Sequence, residues 1–157
     1  WAPLAVLSEE AVEALLDGDD EAARAVIARD AEVNAYDSRV ADETVKLLAQ
    51  RAPLARDLRV VVAVGRAVRD LERIGDEAKK IALYAIEIHA AGRRAPLAQF
   101  YRDVRRMARL AVALLRDALE AFDDLDAGAA AALVKRDRGI DREFSDALRH
   151  LVTFVME

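Results

Sequence analysis

The sequence contains no cysteine and few aromatic residues, and these absences exclude several classes of protein. Without cysteine there can be no disulfide framework, no thiolate-bound zinc and no cysteine nucleophile. Aromatic residues make up 5% of the 157 residues, and there are only three prolines and six glycines. The remaining composition, rich in alanine, leucine, valine and charged residues, favours long amphipathic helices over β structure. With only two histidines, any bound metal would depend on oxygen ligands.

The charge balance and the hydropathy pattern exclude two further classes. A net charge of −5 argues against a dedicated nucleic-acid-binding protein, which normally carries an excess of basic residues. No run of about 18 or more apolar residues is present, and no signal-peptide pattern is recognised. We therefore expect a soluble, cytoplasmic chain of one domain or slightly more, without a nucleic-acid partner.

Apolar residues spaced three and four positions apart predict five helices. Caps, glycines and prolines mark their ends, because these residues favour or force non-helical backbone. The predicted boundaries are Gly18 for the end of the first helix, Asp19 to Pro53 for the second, about Leu54 to Ala91 for the third, about Leu97 to Phe122 for the fourth, and about Gly128 for the start of the fifth. The predicted fold class is an all-α bundle of long helices.

The sequence also contains an internal repeat. Asp30–Asn34 (Asp-Ala-Glu-Val-Asn) matches Asp137–Asp141 (Asp-Arg-Gly-Ile-Asp) at an offset of 107 residues, and a polar break precedes both segments. Two copies of a three-helix unit would explain this match. We assign residues 1–92 to the first repeat and residues 97–157 to a partial second repeat, and we expect further segments at both ends.

One stretch of the third predicted helix breaks two rules of helix design. Glu72 and Asp76 are four residues apart, so their like charges repel by ~0.2–0.5 kcal/mol on one helix face. Gly75 between them costs roughly 1 kcal/mol relative to alanine. Such a conflict marks a candidate functional site. A helical wheel places both acids on the flank opposite the apolar seam, whereas Asp30 and Asp137 fall within or beside their apolar stripes.

Two interpretations of the acidic residues remain open from geometry alone. In the first, neighbouring cations form exposed ion pairs with Glu72 and Asp76, which contribute little to stability. In the second, carboxylate pairs bind hard or borderline metal ions. The basic residues within reach are Arg69, Arg73, Lys79 and Lys80.

A family resemblance bears on this choice. Pro53–Arg59 (Pro-Leu-Ala-Arg-Asp-Leu-Arg), followed by Asp70–Asp76 (Asp-Leu-Glu-Arg-Ile-Gly-Asp) and then by Ala78 and Ile81, resembles the PhoU family of bacterial phosphate-uptake regulators. The resemblance implies a fold of two tandem three-helix bundles, with the second truncated in this chain.

The resemblance also implies a metal site. The recurring Glu/Asp-x-x-x-Asp motif of the family binds multinuclear metal clusters, with iron in some members, so we expect iron foremost and zinc, manganese or magnesium as alternatives. The implied ligands are Glu72 and Asp76, Asp137 and Asp141 of the second repeat, and Asp30 of the first. Asn34 stands where the first repeat should carry a second acid, so that pair is incomplete.

In function, the resemblance implies a cytoplasmic negative regulator of phosphate uptake and of the phosphate-starvation response. It would be a homodimeric adaptor, not an enzyme, between the phosphate-specific ABC transporter and the sensor histidine kinase, and would reach the membrane only through these partners. One alternative is a helical adaptor without metal. The other is a carboxylate-bridged di-metal oxidase, but neither His89 nor His150 follows a glutamate at the spacing such enzymes use.

Overall fold

A computed structural model describes residues 2–92 and 98–156 and has five helices in the predicted order. The helices are α1 (Ala2–Asp17), α2 (Asp20–Arg51), α3 (Ala55–Ala90), α4 (Ala98–Asp123) and α5 (Ala127–Met156). No strand occurs within the described ranges, so the predicted all-α class is confirmed. Leu97, the predicted start of the fourth helix, lies outside the described residues. None of the helices in these ranges is both long enough and apolar enough to span a membrane.

Local sequence signals set the ends of α1 and α2. Gly18 follows α1 with φ +77°, a backbone conformation that costs glycine little because it has no Cβ. Asp19 then caps α2, since its carboxylate accepts hydrogen bonds from two backbone amides of the first turn at 2.9 and 3.0 Å. At the other end Ala52, just before Pro53, closes α2 in a left-handed conformation with φ 41°.

The helices α1, α2 and α3 pack against one another and share one buried core. The fully or nearly fully buried side chains of this core are Leu4, Leu7, Ala11 and Ala14 of α1, Ala23 and Val26 of α2, and Leu71, Ala78, Ala82 and Ala85 of α3. Because α1 has 16 residues against 32 and 36 in its neighbours, it covers only part of the α2–α3 hairpin. Leu47 and Val60, which belong to the apolar stripes near the turn of that hairpin, are therefore exposed.

The helix α4 packs against α1 and α5, and its Leu115 and Leu119 contact the core formed by α1–α3. Arg105 of α4 strengthens this attachment, donating hydrogen bonds to Glu13 at 2.6–3.1 Å and to Asp17 at 2.8 Å, both on α1. Among the described helices α5 contacts only α4. The predicted second repeat begins and ends on residues outside the described ranges, so the division at residues 92 and 97 stays a prediction.

Gly75 marks a close contact between α2 and α3. The residue is buried, and a Cβ atom built on it would lie 3.0 Å from Cγ1 of Val33 and 3.5 Å from Cδ1 of Leu4. A methyl group at this position would force α2 and α3 apart or displace the valine. The unfavourable helix propensity of this glycine, which the sequence analysis associated with function, therefore has a packing cause.

We predict that Gly75→Ala and Gly65→Ala, two identical changes in α3, affect stability in opposite directions. At Gly65 a Cβ would meet nothing within 4 Å, so alanine should raise the free energy of unfolding by about 0.5–1 kcal/mol through helix propensity. At Gly75 the clash with Val33 should outweigh that gain and lower the free energy of unfolding by about 1 kcal/mol or more. Urea unfolding followed by circular dichroism measures both values. Equal stabilisation by the two substitutions would contradict the close contact.

Candidate functional site

Two polar pairs lie beside the contact between α2 and α3. They are Asp30 with Asn34 in α2, called the α2 pair, and Glu72 with Asp76 in α3, called the α3 pair. Val33 lies within the α2 pair and Gly75 within the α3 pair, so the contact of these two residues brings both pairs to one helix junction. The candidate site is this junction, built from four side chains on the outer part of the α1–α3 bundle.

Asp30 is buried, and its charge is compensated by a lysine from the facing helix. The residue is 5% exposed, and its Oδ2 accepts hydrogen bonds from Nζ of Lys79 at 2.7 Å and from Nδ2 of Asn34 at 3.2 Å. A buried carboxylate is costly unless it is paired, and Lys79 supplies the pairing charge. The hydrogen bond and charge of Asp30 raise the pKa of Lys79, and the charge of Asp76 adds to this effect. The burial expected for Asp30 from its apolar stripe is confirmed.

The α3 pair is half-buried on the flank of α3. The neighbouring basic side chains form ion pairs with other carboxylates. These ion pairs are Arg73 with Asp70 at 3.8 Å, Lys79 with Asp30 at 2.7 Å, and Lys80 with Glu77 at 2.7 Å. Within the described ranges no ion pair of 4.0 Å or less includes Glu72 or Asp76. No direct ion pair therefore supports the interpretation of these two acids as members of exposed salt bridges, although the charge of Asp76 adds to the raised pKa of Lys79 and of Lys80.

The acidic pair of the second repeat lies apart from this junction. Asp137 and Asp141 are both exposed on α5, a helix that contacts α4 but neither α2 nor α3. The position of Asp137 within or beside the apolar stripe of α5 does not lead to burial, since among the described helices α5 contacts only α4. Phe144, about two turns after Asp137, is likewise 58% exposed.

The five expected metal ligands do not converge. No group of three His, Asp or Glu side chains among residues 2–92 and 98–156 is placed to hold a metal ion. Asp30 does not fit the role in this arrangement, since its Oδ2 already accepts two hydrogen bonds. Glu72 and Asp76 do fit a cation chemically, because their carboxylates lack ion-pair partners and oxygen ligands suit hard cations. Metal binding at these residues stays a prediction.

The two histidines are engaged away from the junction. Nδ1 of His89 lies 2.9 Å from Oδ1 of Asp20, next to the turn at Gly18, and His150 is exposed with its Nδ1 3.8 Å from Asp103. Neither pair adds a ligand to the α2 or α3 pair. A carboxylate-bridged di-metal centre with histidine ligands therefore finds no support in this geometry.

Sequence reasoning missed the role of Lys79. The lysine was considered only as a partner for acids in its own helix, three or seven residues away. The signal that points to its actual partner is the position of Asp30 in an apolar stripe, since a buried carboxylate requires a cation from a facing helix.

Fold and site together define an all-α bundle protein whose candidate site is a polar junction on the outside of a helix pair. The sequence of the PhoU domain family matches residues 6–85 and 104–157. Because these ranges cover most of the chain, the chain belongs to the PhoU domain family, as its motifs had suggested.

Similar proteins support this assignment. The chain is 41% identical to the phosphate-specific transport system accessory protein PhoU homolog of Pseudomonas putida, over 94% of this chain and 57% of that protein. It is 31% identical to the accessory protein PhoU of Escherichia coli K12, over 94% and 60%. The crystal structure of PhoU from Pseudomonas aeruginosa superposes with a TM-score of 0.89 at 37% identity, covering 98% of this chain and 74% of that one. The chain thus spans about three fifths of the length of these curated relatives.

We predict that removing one charge from the α3 pair stabilises the protein when divalent cations are absent. Glu72→Gln relieves a like-charge repulsion of ~0.2–0.5 kcal/mol with Asp76 without breaking an ion pair. Glu77→Gln is the matched control, because it removes the partner of Lys80 and should leave stability equal or slightly lower. Differential scanning calorimetry in excess chelator measures the three melting temperatures. Destabilisation by Glu72→Gln beyond that of the control would show that Glu72 has a partner within the protein.

Proposed function

We propose that this protein is a regulatory accessory protein of phosphate transport. In this role it is a negative regulator of phosphate uptake and of the phosphate-starvation response, acting in the cytoplasm as an adaptor and not as an enzyme. Its partners are the phosphate-specific ABC transporter and the phosphate-sensing histidine kinase. The observation that carries the proposal is the similarity of 94% of the chain to proteins named as accessory proteins of the phosphate-specific transport system.

The architecture supports a docking role. Long helices held by one small-residue core present a rigid surface, and charged side chains cover much of its exterior. Adaptors bind through such preformed surfaces because little conformational entropy is lost on docking. A homodimer, which the resemblance implies, would present two copies of the same surface to its partners.

We further propose that the α3 pair binds a metal ion, iron foremost, with zinc, manganese or magnesium as alternatives. The support is chemical, because two adjacent carboxylates without ion-pair partners are oxygen ligands that a cation would neutralise. A multinuclear cluster would need more carboxylates than the α3 pair provides, and Asp137 and Asp141 are the candidates for a separate metal site on α5. A bound cation would reduce the negative charge of the flank that a partner meets.

An adaptor without metal is the second candidate. It is favoured by the observation that no three acidic or histidine side chains converge in the described part of the chain. In this case Glu72 and Asp76 would contribute negative charge for docking, and a basic surface of a partner would take the place of the metal.

Co-purification tests the proposed partners. We expect the full-length protein, tagged and expressed in its own host, to retain subunits of the phosphate-specific transporter and the sensor kinase from phosphate-fed cells. Glu72→Gln/Asp76→Asn should reduce their recovery several-fold, whereas Glu77→Gln should not, because it lies outside the α3 pair. Quantitative mass spectrometry of the captured proteins provides the readout. Absence of both partners from phosphate-fed and from starved cells would refute the adaptor role.

Metal analysis separates the two candidates. We expect the protein purified under metal-replete conditions to contain a stoichiometric metal that is lost from Glu72→Gln/Asp76→Asn, as measured by inductively coupled plasma mass spectrometry. Asp137→Asn/Asp141→Asn tests the second repeat in the same way. If the wild-type protein contains no metal, the metal-free adaptor is correct. Oxygen-dependent turnover by the purified protein would instead support the alternative that it is a di-metal oxidase.

A further inference from the structure

Lys79 and Lys80 are adjacent lysines with ion pairs of the same length but different surroundings. Each Nζ lies 2.7 Å from a carboxylate oxygen. Lys80 binds Glu77 within α3, and both side chains are more than half exposed. Lys79 binds Asp30, which is 49 residues away in sequence on α2 and has a side chain only 6% exposed. The Lys79 pair therefore crosses the helix junction and compensates a buried charge.

We infer that the ammonium group of Lys79 takes the place of a metal ion at the α2 pair. It prevents metal binding there and links α2 to α3 through its ion pair with Asp30. The ammonium group lies against Oδ2 of Asp30, an oxygen through which that carboxylate would bind a metal. Asn34 presents its Nδ2 to the same oxygen, and an amide nitrogen is a donor that does not ligate a cation. The hydrogen bonds to Asp30 are therefore inconsistent with the metal-binding role that the family motif implies for this residue.

Removing the counter-charge of Asp30 should change both the stability of the protein and its affinity for metal ions. If the ammonium is removed, a buried carboxylate loses its compensation, and Asp76, whose charge also acts on Lys79, adds a second negative charge nearby. The protein should then become less stable. A small divalent cation with a preference for oxygen ligands should be able to replace the missing charge.

Four variants test this inference, with Mn²⁺ as the probe. Lys79→Met keeps the apolar stem and removes the charge, Lys80→Met is the matched control, Lys79→Arg keeps a cation, and Asp30→Asn removes the buried charge. In excess chelator we expect Lys79→Met to lower the melting temperature by about 4–8 °C. Lys80→Met should lower it by no more than about 1–2 °C, because its pair is exposed.

Mn²⁺ binding gives the readout that a merely structural lysine would not change. We expect Lys79→Met to bind more Mn²⁺ than the wild-type protein, measured by electron paramagnetic resonance, and to recover part of its melting temperature. Adding Asp30→Asn to Lys79→Met should abolish that extra binding. Lys79→Arg should behave as the wild type does.

Two results would overturn the inference. One is that Asp30→Asn alone lowers the metal content of the wild-type protein, because the α2 pair would then bind metal with Lys79 present. The other is that Lys79→Met and Lys80→Met have equal melting temperatures. If Lys79→Met does not fold, Asp30→Asn/Lys79→Met, which removes both charges, should fold, and its failure would also count against the pair. The inference does not depend on metal at the α3 pair, which Glu72→Gln/Asp76→Asn tests separately.

Discussion

The close contact of Gly75 with Val33 is the constraint on which the junction between α2 and α3 depends. The absence of a Cβ at Gly75 lets the valine side chain approach within van der Waals distance of the α3 backbone. This approach brings Asp30 within hydrogen-bonding distance of Lys79. A larger residue at Gly75 would separate the helices and remove the counter-charge of a buried carboxylate. Packing and electrostatics at this junction are therefore coupled through one glycine.

At the junction some carboxylates form direct ion pairs with lysines and others do not. Lys79 forms an ion pair with the buried Asp30 on the facing helix, and Lys80 forms one with the exposed Glu77 in its own helix. Asp76 of the α3 pair attracts both lysines electrostatically, but within the described ranges neither Asp76 nor Glu72 forms a direct ion pair. Asp30 of the α2 pair thus links α2 to α3, whereas Glu72 and Asp76 of the α3 pair are half-buried on the flank of α3.

The attachment of α4 and α5 has a different physical basis. Leucines of α4 extend the core of α1–α3, and the guanidinium of Arg105 binds two carboxylates of α1, an arrangement that combines apolar burial with charge-assisted hydrogen bonds. The same carboxylates raise the pKa of Arg105, which keeps its charge fixed. By contrast, α5 packs only against α4 among the described helices, and Asp137 and Asp141 of α5 are exposed. The chain spans about three fifths of the length of the curated relatives it matches.

The sequence by itself determined the helical class, the capping of α2 by Asp19 and the family, because these depend on local periodicity, backbone preferences and short motifs. It also located the acidic pairs, since a spacing of four residues defines a helix face. Only the tertiary structure decided which acid is buried and which cation it binds. Asp30 and Asp137 match at the 107-residue offset of the predicted repeat, yet Asp30 is buried and Asp137 is exposed. The burial of a residue depends on which elements pack against its helix. The partner of Asp30 lies 49 residues away on another helix, and spacing within one helix cannot identify such a partner.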